Sequence, residues 1–418
     1  MTPMSVSIDP GSGLRLPGSS PGSSGSSESL DEAFSKELRA FLDAYAPDEA
    51  QQMDGQRRHF GPDGVPAWAR EWQALLFDHG WLVPGYPPGL GGRDATARQS
   101  LVYLGEMARR GLPRSLHFPG YAIVAPTLLE WGDEAQRSMA PAALRGDNVW
   151  CIGMSEPNAG SDLASLTTRA ELVGDRFVVN GQKVWTSYAM WADYCLCYVR
   201  TGPLAERHRS ISVLIVDMGS PGIEVRPLRQ MTGRSEFAEV FFTDVEVPAA
   251  NLVGAKDQGW QLTRSSLSHE RGGLWLQWVA ALERSLADLV GEARARGLSG
   301  DRLVRQQLAR AVCEVSCLRW TGYRGFERLE ATGEAPEHLL LKLATSECGR
   351  ALADLGTHLG GAASVATGTG REEAWSGAGT VRPWAHELVA NFAATIAGGT
   401  SEIQRDIVAE RVLGLPRR

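Results

Sequence analysis

The spacing of apolar residues changes twice along this chain, and this change constrains the fold more than any other feature of the sequence. Before about residue 147, apolar residues recur every three or four positions, as at Leu30, Phe34 and Leu38, which is the spacing of one helical face. Between about 148 and 253 the period falls to two and β-branched residues dominate, and helical spacing returns after Gly259. The order predicts a helical domain, a β domain and a helical bundle, and it excludes the βαβ repetition of a dinucleotide-binding sheet.

Composition sets the boundaries of these parts. Ser, Gly and Pro dominate residues 1–28, and such a stretch cannot bury enough apolar surface to offset the ordering of the chain, so we expect a disordered tail there. The other boundaries fall where the period changes. We expect an N-terminal helical domain at 29–147, a central β domain at 148–256 and a C-terminal helical bundle at 257–418.

Charge and composition exclude several functional classes. The 418 residues carry 42 Lys and Arg against 49 Asp and Glu, whereas a nucleic-acid binder usually presents a basic face. No run approaches the roughly 18 apolar residues of a membrane span, and the N-terminus has no apolar signal core, which favours a soluble cytoplasmic protein. The six cysteines and eight histidines show no metal-site spacing. We interpret the pairs Cys195/Cys197 and Cys313/Cys317 as small buried residues.

Two segments of the central domain have the composition of ligand-binding elements. The first, 153–162, is a loop of small residues whose amides, with the hydroxyls of Ser155 and Ser161, can face an anionic ligand. In the second, 180–187, Trp185 is followed by two hydroxyl residues, so that its indole can cover one face of a planar ring. Each segment also has a structural explanation, as an ordinary turn and as a core tryptophan.

A third candidate segment, 398–405, opens the last predicted helix. Ser401 and Gln404 fit a capping box, which would leave Thr400 and the amides of two glycines free at a helix N-terminus. Such an end is a natural phosphate site. Helix capping alone is the alternative explanation.

One carboxylate falls on an apolar helical stripe. Glu270 is in register with Leu267, Leu274 and Trp278. Burial of an ionised glutamate is costly unless it is paired or functional, and burial raises its pKa toward the range of a general base. The glycines at 272 and 273 weaken the helix and leave room for a ligand. The alternative is a structural ion pair between Glu270 and a distant arginine.

Four motifs then occur in the order and spacing of a known family. They are SEPNAGSD at 155–162, GQKVWTS at 181–187, FFTDVEVP at 241–248 and GTSEIQR at 399–405. On these motifs, residues 31–418 resemble the acyl-CoA dehydrogenase family. The resemblance implies an α+β multidomain fold with an N-terminal helical domain, a central β-barrel-like domain and a C-terminal four-helix bundle.

Two further segments, 231–242 and 268–272, are similar to the branch of this family that acts on pimeloyl-CoA or steroid side-chain thioesters. The resemblance also implies FAD as cofactor. The residues implied around its flavin ring are Ile152, Met154, Ser155, Gly160, Ser161, Trp185, Thr186 and Ser187, and those implied near its ribityl and phosphate part are Thr400, Ser401 and Glu402.

The resemblance implies a mechanism as well. In the family, a glutamate removes the α-proton of an acyl-CoA thioester while the β-hydrogen leaves as hydride to flavin N5, which gives the 2-enoyl thioester. Most members carry this base directly before the Gly-Thr-Ser motif, where this chain has Gly398. A minority place it on the first helix of the C-terminal bundle, and the matching position is Glu270. Ser161, Arg271 and the amides of Gly398 and Gly399 are implied at the substrate.

Partners follow from the same resemblance. It implies an acyl-CoA substrate, with an acyl-carrier-protein thioester as the alternative, and electron-transferring flavoprotein as the electron acceptor. The family's RxxFG segment is replaced near 296–300, and the Gln of its QxxGG motif is Thr357. Because RxxFG reaches the FAD of a neighbouring subunit, we expect either a homo-oligomer or a hetero-oligomer with a paralogous subunit. A flavin-poor, non-catalytic partner subunit and a flavin oxidase or monooxygenase are the alternatives to a dehydrogenase.

Overall fold

The computed structural model describes residues 25–48, 64–365 and 384–416, and at 25–29, 264–274, 363 and 365 it describes the backbone alone. Most of the expected tail, 1–24, therefore lies outside the described residues. The side chains of Glu270 and Arg271 lie outside them too.

The N-terminal part is helical. Its helices pack around buried residues such as Leu38, Leu76 and Leu128. Helix α1 begins inside the stretch that we expected to be disordered, because its Ser and Glu residues are of the kind that begin helices. The elements are α1 (Gly25–Tyr45), α2 (Ala67–Asp78), α3 (Ala97–Arg109), a π-helical turn (Gly120–Val124), α4 (Ala125–Trp131), α5 (Glu134–Arg137) and α6 (Ala140–Arg145).

The central part is one mostly antiparallel sheet. Its strands are β1 (Trp150–Gly153), β2 (Arg169–Val173), β3 (Arg176–Ser187), β4 (Tyr194–Arg200), β5 (Ile211–Asp217), β6 (Ile223–Leu228) and β7 (Phe237–Pro248). The strand order is β1-β4-β2-β3-β7-β6, with β5 paired to β4. Strand β4 is buried on both faces, since its side chains alternate between two apolar clusters. Cys195 and Cys197 lie on one of these faces, so their predicted burial is confirmed.

Two different strands pair with the same edge of strand β4. Strand β1 pairs with it in parallel from Tyr194 to Cys197, and β2 meets it at the single pair Arg169 and Arg200. The loop between β1 and β2, residues 154–168, leaves the sheet at this change of partner. This loop contains the first candidate ligand segment.

The C-terminal part is again helical. Its helices are α7 (Gly259–Ala295), α8 (Arg302–Thr332), α9 (Pro336–Gly360), α10 (Ala362–Val365), α11 (Trp384–Ala394) and α12 (Ser401–Arg411). Helices α7, α8 and α9 pack against one another, and α9 also contacts α11 and α12. The order of helical, β and helical parts that we predicted is confirmed. The predicted burial of Cys313 and Cys317 is wrong, because the buried stripe of α8 runs through Ala311, Val315 and Leu318 and leaves both cysteines exposed.

Two buried polar side chains join the N-terminal part to the central part. The amide Nε2 of Gln136 donates to the carbonyls of Ala250 and Leu252, each at 2.9 Å, and Nε2 of His117 lies 2.8 Å from the carbonyl of Trp150. In the part of the chain that is described, no helix is long and apolar enough to cross a membrane. The same residues contain no group of three or more His, Cys, Asp or Glu that could hold a metal ion.

Candidate functional site

The first candidate loop is anchored by a buried ion pair. Nζ of Lys183, a fully buried residue of β3, lies 2.9 Å from a carboxylate oxygen of Glu156 in the loop. Glu156 also accepts hydrogen bonds from the amides of Thr167 and Thr168, at 2.6 and 2.8 Å. Burial alone would raise the pKa of Glu156, but the Lys183 charge and these hydrogen bonds outweigh it and lower the pKa to about 2. The carboxyl group of Glu156 is therefore ionised at neutral pH.

Further contacts attach the same loop to β3. Nζ of Lys183 donates to the carbonyl of Met154 at 3.1 Å, and the amide of Val184 donates to the carbonyl of Ser155 at 2.9 Å. The first and second candidate segments are thus brought together. Ile152, Met154 and Ser155 are half-buried at this junction, and Gly160 and Ser161 lie exposed farther along the loop.

A buried arginine holds the far end of the loop. The guanidinium of Arg200, at the end of β4, donates to the carbonyls of Ala164 and Leu166 at 2.7 and 3.1 Å. It also donates to Oγ of Ser210 at 2.6 Å. Burial lowers the pKa of Arg200. Lys183 and Arg200 therefore fix the two ends of the loop from neighbouring strands.

The second segment is a bulged strand end. The register between β3 and β7 shifts between Lys183 and Thr186, and Trp185 takes a left-handed backbone with φ of 60°. The bulge turns the indole outward, so that 60% of Trp185 is exposed. The core explanation for Trp185 is therefore wrong. Its ring contacts Phe237 edge-on, with 6.1 Å between ring centres.

Thr186 and Ser187 complete the bulged strand end. Thr186 is buried, and its Oγ1 has no hydrogen-bond partner among the described residues. Buried hydroxyls are normally satisfied, so this unpaired hydroxyl close to an exposed indole is a candidate contact for a ligand. Ser187 is half-buried and pairs with Phe237 in the strand register.

The third segment is capped differently from the prediction. Thr400 is the N-cap of α12, with its hydroxyl accepting from the amide of Ile403 at 3.3 Å. Ser401 is instead a buried first helical residue whose amide donates to the carbonyl of Thr395. The predicted Ser401 and Gln404 capping box is wrong, because Gln404 then lies one position too far along the helix. Its Nε2 donates to the carbonyl of Gly398 at 2.8 Å.

Two glycines precede this cap in left-handed conformations. Gly398 and Gly399 have φ of 66° and 94°, and Nζ of Lys342 in α9 donates to the carbonyl of Gly399 at 2.6 Å. No hydrogen bond from the two glycine amides occurs within the described ranges. The exposed carboxylate of Glu402 accepts hydrogen bonds from its own amide and from Thr400, which lower its pKa. The third segment is thus positioned by α9.

The helix that carries Glu270 is continuous. Helix α7 runs from Gly259 to Ala295 through Gly272 and Gly273, and it packs against α3, the π-helical turn and α9. The side chains of Glu270 and Arg271 are not among those described, so their roles stay predictions.

Sequence reasoning missed several residues of this site. Lys183 is separated by an even number of residues from the buried Phe177 and Val179 of β3. This alternation in the sequence could have predicted that the lysine is buried. His117 carried no such signal. Its ring stands edge-on to Tyr188, with 5.3 Å between ring centres, and burial lowers its pKa to about 4. His117 is therefore a neutral residue that packs against the end of the bulged strand.

Comparisons with known proteins agree with this architecture. Family models match the acyl-CoA dehydrogenase N-terminal domain at residues 29–147, the middle domain at 151–245 and the C-terminal domain at 257–413. Acyl-CoA dehydrogenase IpdE1 of Mycolicibacterium smegmatis is 36% identical over 363 residues, which cover 83% of this chain and 88% of that protein.

Solved structures give the same result. The Tcur3481-Tcur3483 steroid ACAD is 31% identical with a TM-score of 0.78, over 93% of this chain and 98% of that chain. The ChsE4-ChsE5 complex from Mycobacterium tuberculosis is 32% identical with a TM-score of 0.76, over the same shares of the two chains. The resemblance drawn from the four motifs is confirmed. The chain belongs to the acyl-CoA dehydrogenase family, and it is a flavoprotein oxidoreductase.

Proposed function

We propose that this chain catalyses the α,β-dehydrogenation of an acyl-CoA thioester to the 2-enoyl thioester, with FAD as cofactor and Glu270 as the general base. The single observation that carries the proposal is the junction of the first two segments. There the Glu156 and Lys183 ion pair fixes a small-residue loop beside an exposed Trp185 and an unpaired Thr186 hydroxyl.

The residues at this junction fit a flavin. The exposed indole of Trp185 offers an aromatic face for a planar ring. The unpaired Oγ1 of Thr186, the hydroxyl of Ser187 and the amides of the loop offer hydrogen bonds to the polar edge of that ring. FAD, when bound, supplies the acceptor for the β-hydrogen of the substrate as hydride. Thr400, Ser401 and Glu402 would hold its ribityl and phosphate part.

Glu270 suits the role of the base because of its helix. Helix α7 packs against α3 of the N-terminal part and α9 of the bundle, and burial of a glutamate between packed helices would raise its carboxyl pKa. Gly398 occupies the position at which most family members place the base. Glu270 would take the α-proton, and Arg271 and Ser161 would lie at the substrate.

The two glycines before α12 would polarise the thioester carbonyl. The carbonyls of Gly398 and Gly399 accept hydrogen bonds from Gln404 and Lys342, which fixes the two peptide planes that carry the amides of Gly399 and Thr400. Amides preorganised in this way stabilise the negative charge that develops on a carbonyl oxygen when the α-proton leaves. This lowers the barrier for proton removal by Glu270.

The test of the base is Glu270→Gln, with Glu283→Gln on the same helix as the matched control. Glu283 is paired with Arg319 at 3.2 Å. We expect Glu270→Gln to keep its flavin absorbance and to lose turnover by orders of magnitude, because the general base alone is removed. The control should keep turnover near that of the wild type. Flavin-loaded Glu270→Gln with normal turnover of any acyl-CoA would refute the assignment.

A second proposal concerns assembly. The similar ChsE4-ChsE5 protein is a complex of two chains, and in this chain the family's RxxFG segment is replaced near 296–300. Near that position Arg296 pairs with Glu292 of its own helix at 2.5 Å, and the hydroxyl of Thr357 donates to the carbonyl of Ala353. We infer that a paralogous subunit supplies the missing FAD contacts. Electron-transferring flavoprotein would accept the electrons from the assembled enzyme.

The flavin content of the chain purified alone tests the assembly proposal. Little bound flavin, restored when a paralogous subunit is coexpressed, is the expected result. A stable homotetramer with one flavin per chain would contradict it.

A further inference from the structure

A groove of about 630 Å³ lies at the edge of the sheet, where β2 leaves β4. The buried residues Ala170 and Phe177 line it, together with Leu172 and Leu204. Both leucines are more than half exposed. Exposed leucine side chains next to buried apolar residues make a continuous apolar surface, which is typical of a binding groove. The groove therefore offers apolar contacts to an occupant.

The backbone of β2 forms an open edge along this groove. Strand β2 pairs with β4 only at Arg169 and Arg200, where the amide of Arg200 donates to the carbonyl of Thr168 at 2.7 Å. Because the polar groups of a strand point alternately to its two edges, those of Leu172 point to the same edge as those of Thr168. No described strand lies beside Leu172 on that edge. An open edge next to an apolar groove is the combination that an added strand uses.

The groove also presents a cation without an anion. Lys256 lines it, is exposed, and forms no ion pair with any described residue. The other exposed cation, Arg169, is already paired with Glu171 at 3.2 Å. A second copy of this edge would bring another Lys256 to the contact, whereas an occupant with an acidic residue would compensate the charge. Charge therefore favours an acidic strand.

The same groove lies behind the ligand loop at 154–168. Thr167 and Arg200 both line it. The amide and hydroxyl of Thr167 donate to the carboxylate of Glu156, and Arg200 holds the loop carbonyls described above. An occupant of the groove would thus cover two of the residues that fix the loop.

One stretch of sequence outside the described residues has the pattern of such a strand. Residues 4–9 read Met-Ser-Val-Ser-Ile-Asp, with an apolar residue at every second position and an acidic residue at the end. A proline stands on each side, at positions 3 and 10. Proline has no amide to donate to a ladder, so the two prolines delimit the segment. The Ser, Gly and Pro composition that predicts disorder is concentrated in 10–27.

The segment is long enough in its connection to reach the groove. Residues 10–24 join it to α1, which begins at Gly25, and an extended chain of that length spans about 50 Å. This is close to the diameter of a folded chain of this size. Docking is then intramolecular, and a flexible linker gives an effective concentration in the millimolar range. A short strand that binds weakly as a free peptide would still be docked for much of the time.

We propose that residues 4–9 dock as an additional strand on the open edge of β2. The apolar side chains of the segment would lie in the groove, and the carboxylate of Asp9 would lie near Lys256. The docked strand would keep water from Thr167 and Arg200, and it would thereby hold the far end of the ligand loop more tightly. The docking does not depend on the proposed reaction.

Amide hydrogen exchange, read by mass spectrometry, tests the docking in the flavin-loaded protein with any subunit that copurifies. The matched variants are Val6→Asp and Ser7→Asp, which place the same charge on the groove side of the segment and on its other side. A chain without residues 2–9 is the reference. These changes lie outside the folded core, so all four proteins should keep the same melting temperature within about 2 °C.

We expect wild type and Ser7→Asp to show slow exchange in the peptides that cover 4–9 and 169–173. A docked fraction between about one half and nine tenths slows exchange by roughly 2- to 10-fold. Val6→Asp and the truncated chain should lose this protection of 169–173, and the loop at 154–168 should exchange faster in both.

Three results would overturn the proposal. Fast exchange of 169–173 in all four proteins would mean that nothing covers the groove. Slow exchange in all four would mean that a different occupant covers it. Protection of the two peptides that increases with protein concentration would mean that the segment of one copy occupies the groove of another.

Discussion

Replacement of Lys183 by methionine should destabilise the protein strongly, although it exchanges a lysine in a strand for an apolar residue of similar length. The change leaves the carboxylate of Glu156 buried with 5% of the residue exposed and without its cation. The pKa of Glu156 lies at about 2 against an ordinary 4.5, a difference that corresponds to about 3 kcal/mol in favour of the charged form. Removal of one partner of a buried ion pair typically costs about 3 to 5 kcal/mol.

The lower end of that range applies here. Glu156 keeps its hydrogen bonds from Thr167 and Thr168 after the substitution, so the free energy of unfolding should fall by about 3 kcal/mol. Denaturant unfolding at pH 7 measures this change. Lys256→Met is the matched control, since Lys256 is exposed, and it should change stability by less than about 0.5 kcal/mol.

The pH dependence gives an independent check. The folded pKa of Glu156 is below the unfolded value, so its contribution is present above pH 4.5 and is lost as the pH falls toward 2. In Lys183→Met, most of this pH-dependent contribution of Glu156 to stability should be absent. The double variant Lys183→Met with Glu156→Gln should recover part of the stability, because no buried charge is left unpaired. A loss below about 1 kcal/mol in the single variant, with no recovery in the double one, would refute the reasoning.

Two further predictions concern single buried groups. Thr186→Val should keep its unfolding midpoint and lose flavin, because the Thr186 hydroxyl has no hydrogen-bond partner among the described residues. Fluorescence titration with FAD measures this, and unchanged affinity would count against the flavin site. His117→Gln should flatten the pH dependence of unfolding between pH 6.5 and 4. In the wild type, burial lowers the folded pKa of His117 from 6.5 to about 4, so about 3 kcal/mol of stability, fully present above pH 6.5, is lost as the pH falls through this window. An identical pH profile in the variant would contradict it.

The sequence was sufficient for features that depend on local patterning. The change of period placed the sheet between two helical parts, since side-chain alternation in strands such as β3 is a local property. The small-residue loop at 153–162 could be found because its composition is visible in a short stretch of sequence and the next motif follows it closely in the chain.

Features that depend on tertiary packing could not be found in this way. Glu156 and Lys183 are 27 residues apart, and neither position alone indicates that they meet in the core. Thr400 rather than Ser401 caps α12 because Ser401 is buried against the preceding turn, and both residues are good caps by composition.

The divided edge of β4 has a consequence for the order in which the enzyme becomes functional. Strand β1 cannot pair until β4, which begins more than 40 residues later in the chain, has been made and placed. The loop at 154–168 is held by Lys183 of β3 and Arg200 of β4, so it orders only after those strands have assembled. We therefore expect amide hydrogen exchange to protect β4 and β5 early in refolding and the loop last. The capacity to hold a cofactor would then be among the final properties that the folding chain acquires.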